Sequence, residues 1–339
     1  YIAGLVGSNE GTIIKCFCDV KVSNGDYYTG GITGFNLGSI ICCYSKGSVS
    51  GDNEVGGLVG QNSGGNAYIL NCYSTADVRG SGYPTGGLVG YNNNASVVTC
   101  CFSGDASGSG DGALVGYNGY NDGDNIVKCF FLDSSGPNNG LGTKLTNQQM
   151  QDPNSFTGWD FTGETANGTS QIWQMSPETL YPELTFYTDY QPAELPGRGS
   201  KTDPYLVSDA NQLGSVIHHG LLECYKITAD INLNNIHWSS SVIPEFFGKF
   251  DGNSYTIQNL NFNSEQFHYG LFGVVRAQAV VKNLSVQNIT CATGENVGPL
   301  AGINKGNITG CAATGQLLTE ADSVGGLVGR NYTGVMAGC

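Results

Sequence analysis

Apolar positions in this chain come in short runs closed off by Gly, Asn or Ser, and the runs repeat. One recurring block reads Gly-Leu-Val-Gly-x-Asn. It stands at Gly4-Leu5-Val6-Gly7-Ser8-Asn9, Gly57-Leu58-Val59-Gly60-Gln61-Asn62 and Gly87-Leu88-Val89-Gly90-Tyr91-Asn92, with variants ending at Asn36 and Asn118. A second run carries it to Asn304 and Asn331. The Asn column steps by 27, 26, 30 and 26 residues in the first run and by 27 in the second. A second block follows each Asn: two aliphatic residues, a spacer, a Cys and an aromatic, as in Ile40-Ile41-Cys42-Cys43-Tyr44 and Ile69-Leu70-Asn71-Cys72-Tyr73. The Cys column reads Cys16, Cys43, Cys72, Cys101 and Cys129, with Cys311 and Cys339 as counterparts in the second run. The aromatic column beside it reads Phe17, Tyr44, Tyr73, Phe102 and Phe130.

One such unit cannot bury its apolar face alone, and stacking successive units buries a continuous core. Each strand then pairs with its equivalent about 4.8 Å above and below, and like residues form ladders. The spacing predicts an all-β fold built from parallel β-solenoid (β-helix) rungs. A β-propeller needs a longer period, about 40–50 residues. The recurring Asn fits a turn position that tolerates left-handed backbone, and stacked amides hydrogen-bond along the axis. Neighbours in a strand face opposite sides, so the Cys and aromatic columns are both buried only if the chain bends. Ile40 and Cys43 differ in parity, which places a corner between them.

The Gly-Gly-Leu-Val-Gly-x-Asn block with its Cys-Tyr-Ser partner resembles the GLUG motif of bacterial surface and secreted proteins. Thr143 to Tyr187, with Phe156-Thr157-Gly158-Trp159-Asp160-Phe161, is similar to the closing segment of such domains. Gly199 to Asn211, and Phe250 to Leu260 followed by Gly270-Leu271-Phe272-Gly273, are similar to their opening segment. The resemblance implies an extracellular or cell-surface repeat protein and implies no single activity.

Four segments follow: solenoid rungs over 1–131, a closing cap and linker over 132–195, an opening cap over 196–269, and further rungs over 270–339. The expected architecture is two solenoid segments with short capping helices between them. A short helix is expected over Leu145–Gln151, stopped before Pro153. A second, capped by Ser208 or Asp209, runs to His219 with Leu213, Val216 and Ile217 on one face. Strands are expected over Cys224–Leu233 and Ser254–Phe262. Caps in the middle leave open rungs at Tyr1 and Cys339, and unpaired strand edges invite association. The expected partner is a further copy, head to tail, in a filament or stalk; a tandem array in a longer polypeptide gives the same order.

Composition narrows the chemistry. Charged residues are 12% of the chain, Gly is 52 of 339, and the formal net charge is −14 with no basic run, which argues against nucleic acid. No apolar run reaches the roughly 20 residues of a membrane helix. The Cys column reads as a buried thiol ladder, with disulfides between adjacent rungs as the alternative. The aromatics Phe17, Tyr44, Tyr73 and Phe102 either pack at a corner or form a binding surface for carbohydrate or a protein partner. Asp52-Asn53-Glu54, Asp111 and Asn121-Asp122-Gly123-Asp124-Asn125 read as turn chemistry, with Ca²⁺ the alternative; no other cofactor is expected. His218-His219 reads as a helix C-terminal feature. No catalytic motif appears among the residues, so no enzyme is expected; an adhesin module and a spacer within a secreted enzyme are the rival roles.

Overall fold

The computed structural model describes all residues except 107–110, 120–124 and 316–322, and the backbone alone of 24, 263–267 and 291–295. Strand makes up 47% of the chain and helix 6%, in a β-solenoid of about 11 turns, so the class is all-β. The chain divides into two compact units, Tyr1–Thr157 with Ile172–Thr188, and Gly158–Gln171 with Asp189–Cys339. The segment 132–195 is thus shared between the units.

In the first unit each rung visits three parallel sheets. The first holds Val6–Asn9, Thr33–Asn36, Val59–Ser63, Val89–Asn93 and Val115–Asn118, with Val6, Thr33, Val59, Val89 and Val115 in one register. The second holds Thr12–Ile14, Ser39–Ile41, Tyr68–Leu70, Ser96–Val98 and Ile126–Val127. The third carries the aromatic positions, including the long strands Phe17–Gly30 and Tyr44–Gly56. Leu58, Leu88, Leu114, Ile40, Ile69 and Val97 meet inside with no accessible surface. Burying each such side chain stabilises the fold by about 1.5–3 kcal/mol. The glycines of the motif let rungs approach: a Cβ on Gly60 would lie 2.6 Å from the Gly34 oxygen of the neighbouring rung.

The bend falls one residue before each core cysteine. Lys15, Cys42, Asn71, Thr99 and Lys128 have φ of 50°, 52°, 52°, 45° and 51°. This left-handed residue turns the chain from the second sheet into the third, so Ile40 and Cys43 both point inward despite their parity. The left-handed backbone expected at the Asn column is therefore found elsewhere. Asn9, Asn36, Asn62, Asn92 and Asn118 lie in strands, and none has positive φ.

The short helix of this unit, α1, is Asn147–Met150. It is shorter than expected because Leu145 closes a strand paired to Leu132. Thr146 caps it through a reciprocal pair of bonds with Gln149.

In the second unit the rungs visit four parallel sheets. One runs Tyr205–Val207, Cys224–Ile227, Lys249–Asp251, Val280–Lys282, Asn307–Thr309 and Val335–Ala337. Another stacks Ile243–Phe246, Phe272–Val275, Ala301–Asn304 and Val328–Asn331. Both strands expected here are split by corners. Cys224–Ile227 and Ile231–Asn232 belong to different sheets, as do Thr256–Gln258 and Asn261–Tyr269, with left-handed Asn259 between the latter two. The helix α2, Ala210–His219, buries Leu213, Val216 and Ile217, and Asp209 caps it. Its terminal histidines bond backbone carbonyls, His218 Nε2 to Ser170 O at 2.6 Å and His219 Nε2 to Ala193 O at 3.0 Å.

Candidate functional site

The side chains that recur on every rung form three ladders. The asparagine ladder is a chain of amide hydrogen bonds along the solenoid axis. Each Nδ2 donates to the next Oδ1: Asn9 to Asn36 at 2.7 Å, Asn36 to Asn62 at 2.8 Å, Asn62 to Asn92 and Asn92 to Asn118 at 2.9 Å. Asn125 continues it, accepting from Asn118 at 2.9 Å. The amides also serve their own corner, as where Asn36 Nδ2 donates to Gly38 O at 3.0 Å. Asn36, Asn62 and Asn92 are fully buried, and these bonds satisfy groups that would otherwise destabilise the core. In the second unit Asn304 donates to Asn331 at 2.9 Å.

The thiol ladder lies beside it. Its members are Cys16, Cys43, Cys72, Cys100 and Cys129, not Cys101. The backbone N–H of Cys16 donates to Cys43 Sγ, that of Cys43 to Cys72 Sγ and that of Cys72 to Cys100 Sγ, at 3.3–3.4 Å. Each thiol donates to the carbonyl two residues back, as Cys72 to Leu70 at 3.2 Å and Cys100 to Val98 at 3.0 Å. Cys101 pairs instead with Tyr73 and Phe130, in the aromatic column, and Phe102 pairs with Ser74. Val97-Val98 stacks on Ile69-Leu70, so counting from the aliphatic pair gives the right cysteine. Counting back from Phe102 slips the rung by one residue. The described cysteines are all free thiols. Burial pushes the Cys42 and Cys101 thiols up. In the second unit Cys311 and Cys339 donate to Thr309 and Ala337, both at 3.5 Å, and Leu284 occupies the rung before them.

The aromatic column is stacked but covered. Phe17, Tyr44 and Tyr73 lie ring on ring at 5.2 and 4.9 Å. The returning segment of the same unit lies over them: Tyr187 sets its edge on Tyr44 at 4.8 Å and donates to Cys42 O at 3.1 Å, and Trp173 lies 6.2 Å from Tyr73. Tyr44, Tyr73 and Phe102 are buried, and only Phe17 is open, at 54%. Of the two readings, packing describes Tyr44, Tyr73 and Phe102, and of the four only Phe17 is left as open surface.

The acidic turns serve their neighbours. Ser81 donates to Asp52, Asn53 Oδ1 accepts from Tyr83 N at 3.2 Å, and Asp111 accepts from Thr85 N at 2.7 Å. Asn121 to Asp124 lie outside the described residues. Among the described residues, no three His, Cys, Asp or Glu side chains are placed to hold a metal ion. Also among them, no helix is long and apolar enough to cross a membrane.

Two features escaped the sequence reading. Asn125, which ends the amide ladder, lies outside the repeated block. The second is a set of lysines on the outer face of the second unit, brought together only by the register of its strands.

Stacked parallel rungs with amide and thiol ladders define a β-solenoid repeat protein. Residues 51–79 match the model of the family described as "The GLUG motif", and the other repeated blocks of the chain are similar to that motif. Halomucin of Haloquadratum walsbyi is 33% identical over 147 residues, which are 39% of this chain and 2% of that protein. A Gly-rich membrane protein of Evansella cellulosilytica is 31% identical over 121 residues, 33% of this chain and 14% of the relative. The chain therefore spans a small part of either relative's length. No solved structure matches it.

Proposed function

We propose that this chain is a non-enzymatic structural repeat of an extracellular or cell-surface protein, extended end to end by adding rungs to its open strand edges. The observation that carries the reading is the polarity of the asparagine ladder. Each amide donates in the same direction, from Asn9 towards Asn118 and from Asn304 to Asn331. Among the described residues, the edge at Val328–Asn331 thus ends on an amide whose Nδ2 reaches only its own turn, at Gly334 O. Among them too, the edge at Val6–Asn9 begins on an amide whose Oδ1 serves only Gly11 N. Donor end and acceptor end are complementary, head to tail. The corner geometry agrees: Gly338 has φ of 63°, Lys15 φ of 50°, and a core-side cysteine follows each. Such a contact is heterologous, and it propagates into a filament where the rotation between copies does not close a ring. The same contact serves a tandem neighbour within a longer polypeptide.

A surface setting is supported by the halomucin and the membrane protein among its relatives. The covered aromatic column favours a structural role over an adhesin built on Tyr44 and Tyr73. Light scattering and negative-stain microscopy over a concentration series test the reading. Unbranched filaments are expected, and Gly7→Asp, which places a charge on the open edge, abolishes them. A strict monomer at every concentration overturns it.

A further inference from the structure

We infer that the second unit carries a binding groove for an anionic glycan, a sugar chain bearing carboxylates or sulfates, on the outer face of the sheet containing Lys249–Asp251. The strands of that sheet alternate inward and outward residues. Tyr225, Phe250 and Val281 stack inside, buried to 1% or less. Two outward columns flank them. One runs Cys224, Lys249, Val280, and the other Lys226, Asp251, Lys282. Lys201, from the loop preceding Tyr205–Val207, joins them along a groove of about 530 Å³. That size suits a small ligand or one strand of a polymer.

The charge distribution is the reason to read this as a site. The chain has 14 Lys and Arg against 28 Asp and Glu, yet four of its lysines line this one groove. Lys226, Lys249 and Lys282 stand on three successive strands, Lys226 and Lys282 on either side of Asp251 and Lys249 in the neighbouring column, so their mutual repulsion is offset only by a carboxylate lying among them. The groove holds one carboxylate for this purpose, Asp251, and it pairs with Lys282 at 2.9 Å. The other three lysines have no carboxylate within ion-pair distance among the described residues. The excess positive charge calls for an anion.

The surroundings narrow the class. Pro204 and Val280 put apolar surface between the ammonium groups, where the C–H face of a sugar ring can rest. The lysines follow the solenoid axis, one rung after another, so they match charges repeated along a chain. The net charge of −14 works against a broad polyanionic partner such as nucleic acid or an anionic bilayer, whose field meets the whole molecule. A single anionic strand lying in the groove meets mainly the local positive charge. The groove is independent of end-to-end stacking, since none of its residues lies on an edge strand of the sheet.

The test is binding of the full chain to oligogalacturonate and to sulfated dextran at low ionic strength, with neutral dextran and phosphatidylglycerol vesicles as the other arms. At least one anionic glycan is expected to bind, the carboxylated and sulfated probes telling which group is preferred, and binding weakens as salt is added. Lys226→Gln with Lys249→Gln is expected to reduce affinity at least tenfold with the thermal midpoint unchanged, because both side chains point outward. Asp251→Asn is expected to tighten binding by about threefold, the effect of one screened charge. Lys46→Gln, in the other unit, leaves it unchanged. The assignment is overturned if neither anionic glycan binds, if neutral dextran binds equally well, if only vesicles bind, or if the double lysine variant binds like the parent.

Discussion

Replacing Asn62 by Leu removes one amide from the middle of the ladder while keeping its volume. Three bonds go: the donation to Asn92 Oδ1 at 2.9 Å, the donation to Ser96 O at 3.3 Å and the acceptance from Asn36 Nδ2 at 2.8 Å. Asn36 Nδ2 keeps Gly38 O at 3.0 Å, so its loss is about 1 kcal/mol, the net worth of an ordinary hydrogen bond. Asn92 Oδ1, fully buried, loses its amide donor, and an unsatisfied buried acceptor costs about 1–3 kcal/mol. The sum is about 2–4 kcal/mol. Asn331→Leu makes the same chemical change at an exposed edge, where water replaces the lost partner, and costs about 0.5–1 kcal/mol. Urea unfolding followed by circular dichroism measures both. With a slope of about 2–3 kcal/mol/M, Asn62→Leu lowers the midpoint by about 1 M and Asn331→Leu by a small fraction of that. If Asn62→Leu shifts the midpoint no more than Asn331→Leu does, the buried ladder is not a stabilising element and the reasoning fails.

Burial pushes the Glu54 carboxyl up to about 7 from 4.5. The folded state therefore holds a proton that the unfolded state releases, and stability falls as pH rises from about 4.5 to 7. Allowing for solvent screening of a half-buried group, the loss is about 1 kcal/mol, and Glu54→Gln should remove that slope in thermal melts taken across this range. In the second unit Arg276 closes a bidentate pair on the fully buried Glu245, with Nη2 to Oε1 at 2.7 Å. Arg276→Met should cost about 3–5 kcal/mol by removing the bidentate partner of the buried carboxylate. Adding Glu245→Val, the residue type that Val274 places in the same column, should recover most of it in chemical denaturation. Thiol labelling read by mass spectrometry should modify the exposed Cys339 in the native protein, while Cys43, Cys72, Cys100, Cys101 and Cys129 react only on unfolding.

The repeat period carried the solenoid, because a 26–30-residue step with an Asn and a Cys in each unit leaves little else that buries every apolar pair. Parity carried the corner between Ile40 and Cys43, which lies at Cys42. The slip at Cys100 and Cys101 shows the limit of reading by residue type. Both residues are cysteines, and only strand pairing decides which one faces the core. The cover on Tyr44 and Tyr73 was not legible at all. Tyr187 lies 143 residues beyond Tyr44, and nothing in either local pattern says that one returns over the other. The lysine groove was hidden for a related reason. Lys201, Lys226, Lys249 and Lys282 are each unremarkable singly, and they converge only once the rung register is known.

If copies stack head to tail as proposed, Cys339 of one copy lies on Cys16 of the next, since each follows the left-handed corner of its rung and each donates to the carbonyl two residues back. Equivalent residues on adjacent rungs lie within reach of a disulfide. Mild oxidation of the concentrated protein, followed by non-reducing electrophoresis and peptide mass spectrometry, reads this contact directly. Stacking in this register gives a ladder of covalent oligomers joined by Cys16–Cys339 peptides, absent from Cys16→Ser. Material that stays monomeric, or that links only Cys339 to Cys339, contradicts it.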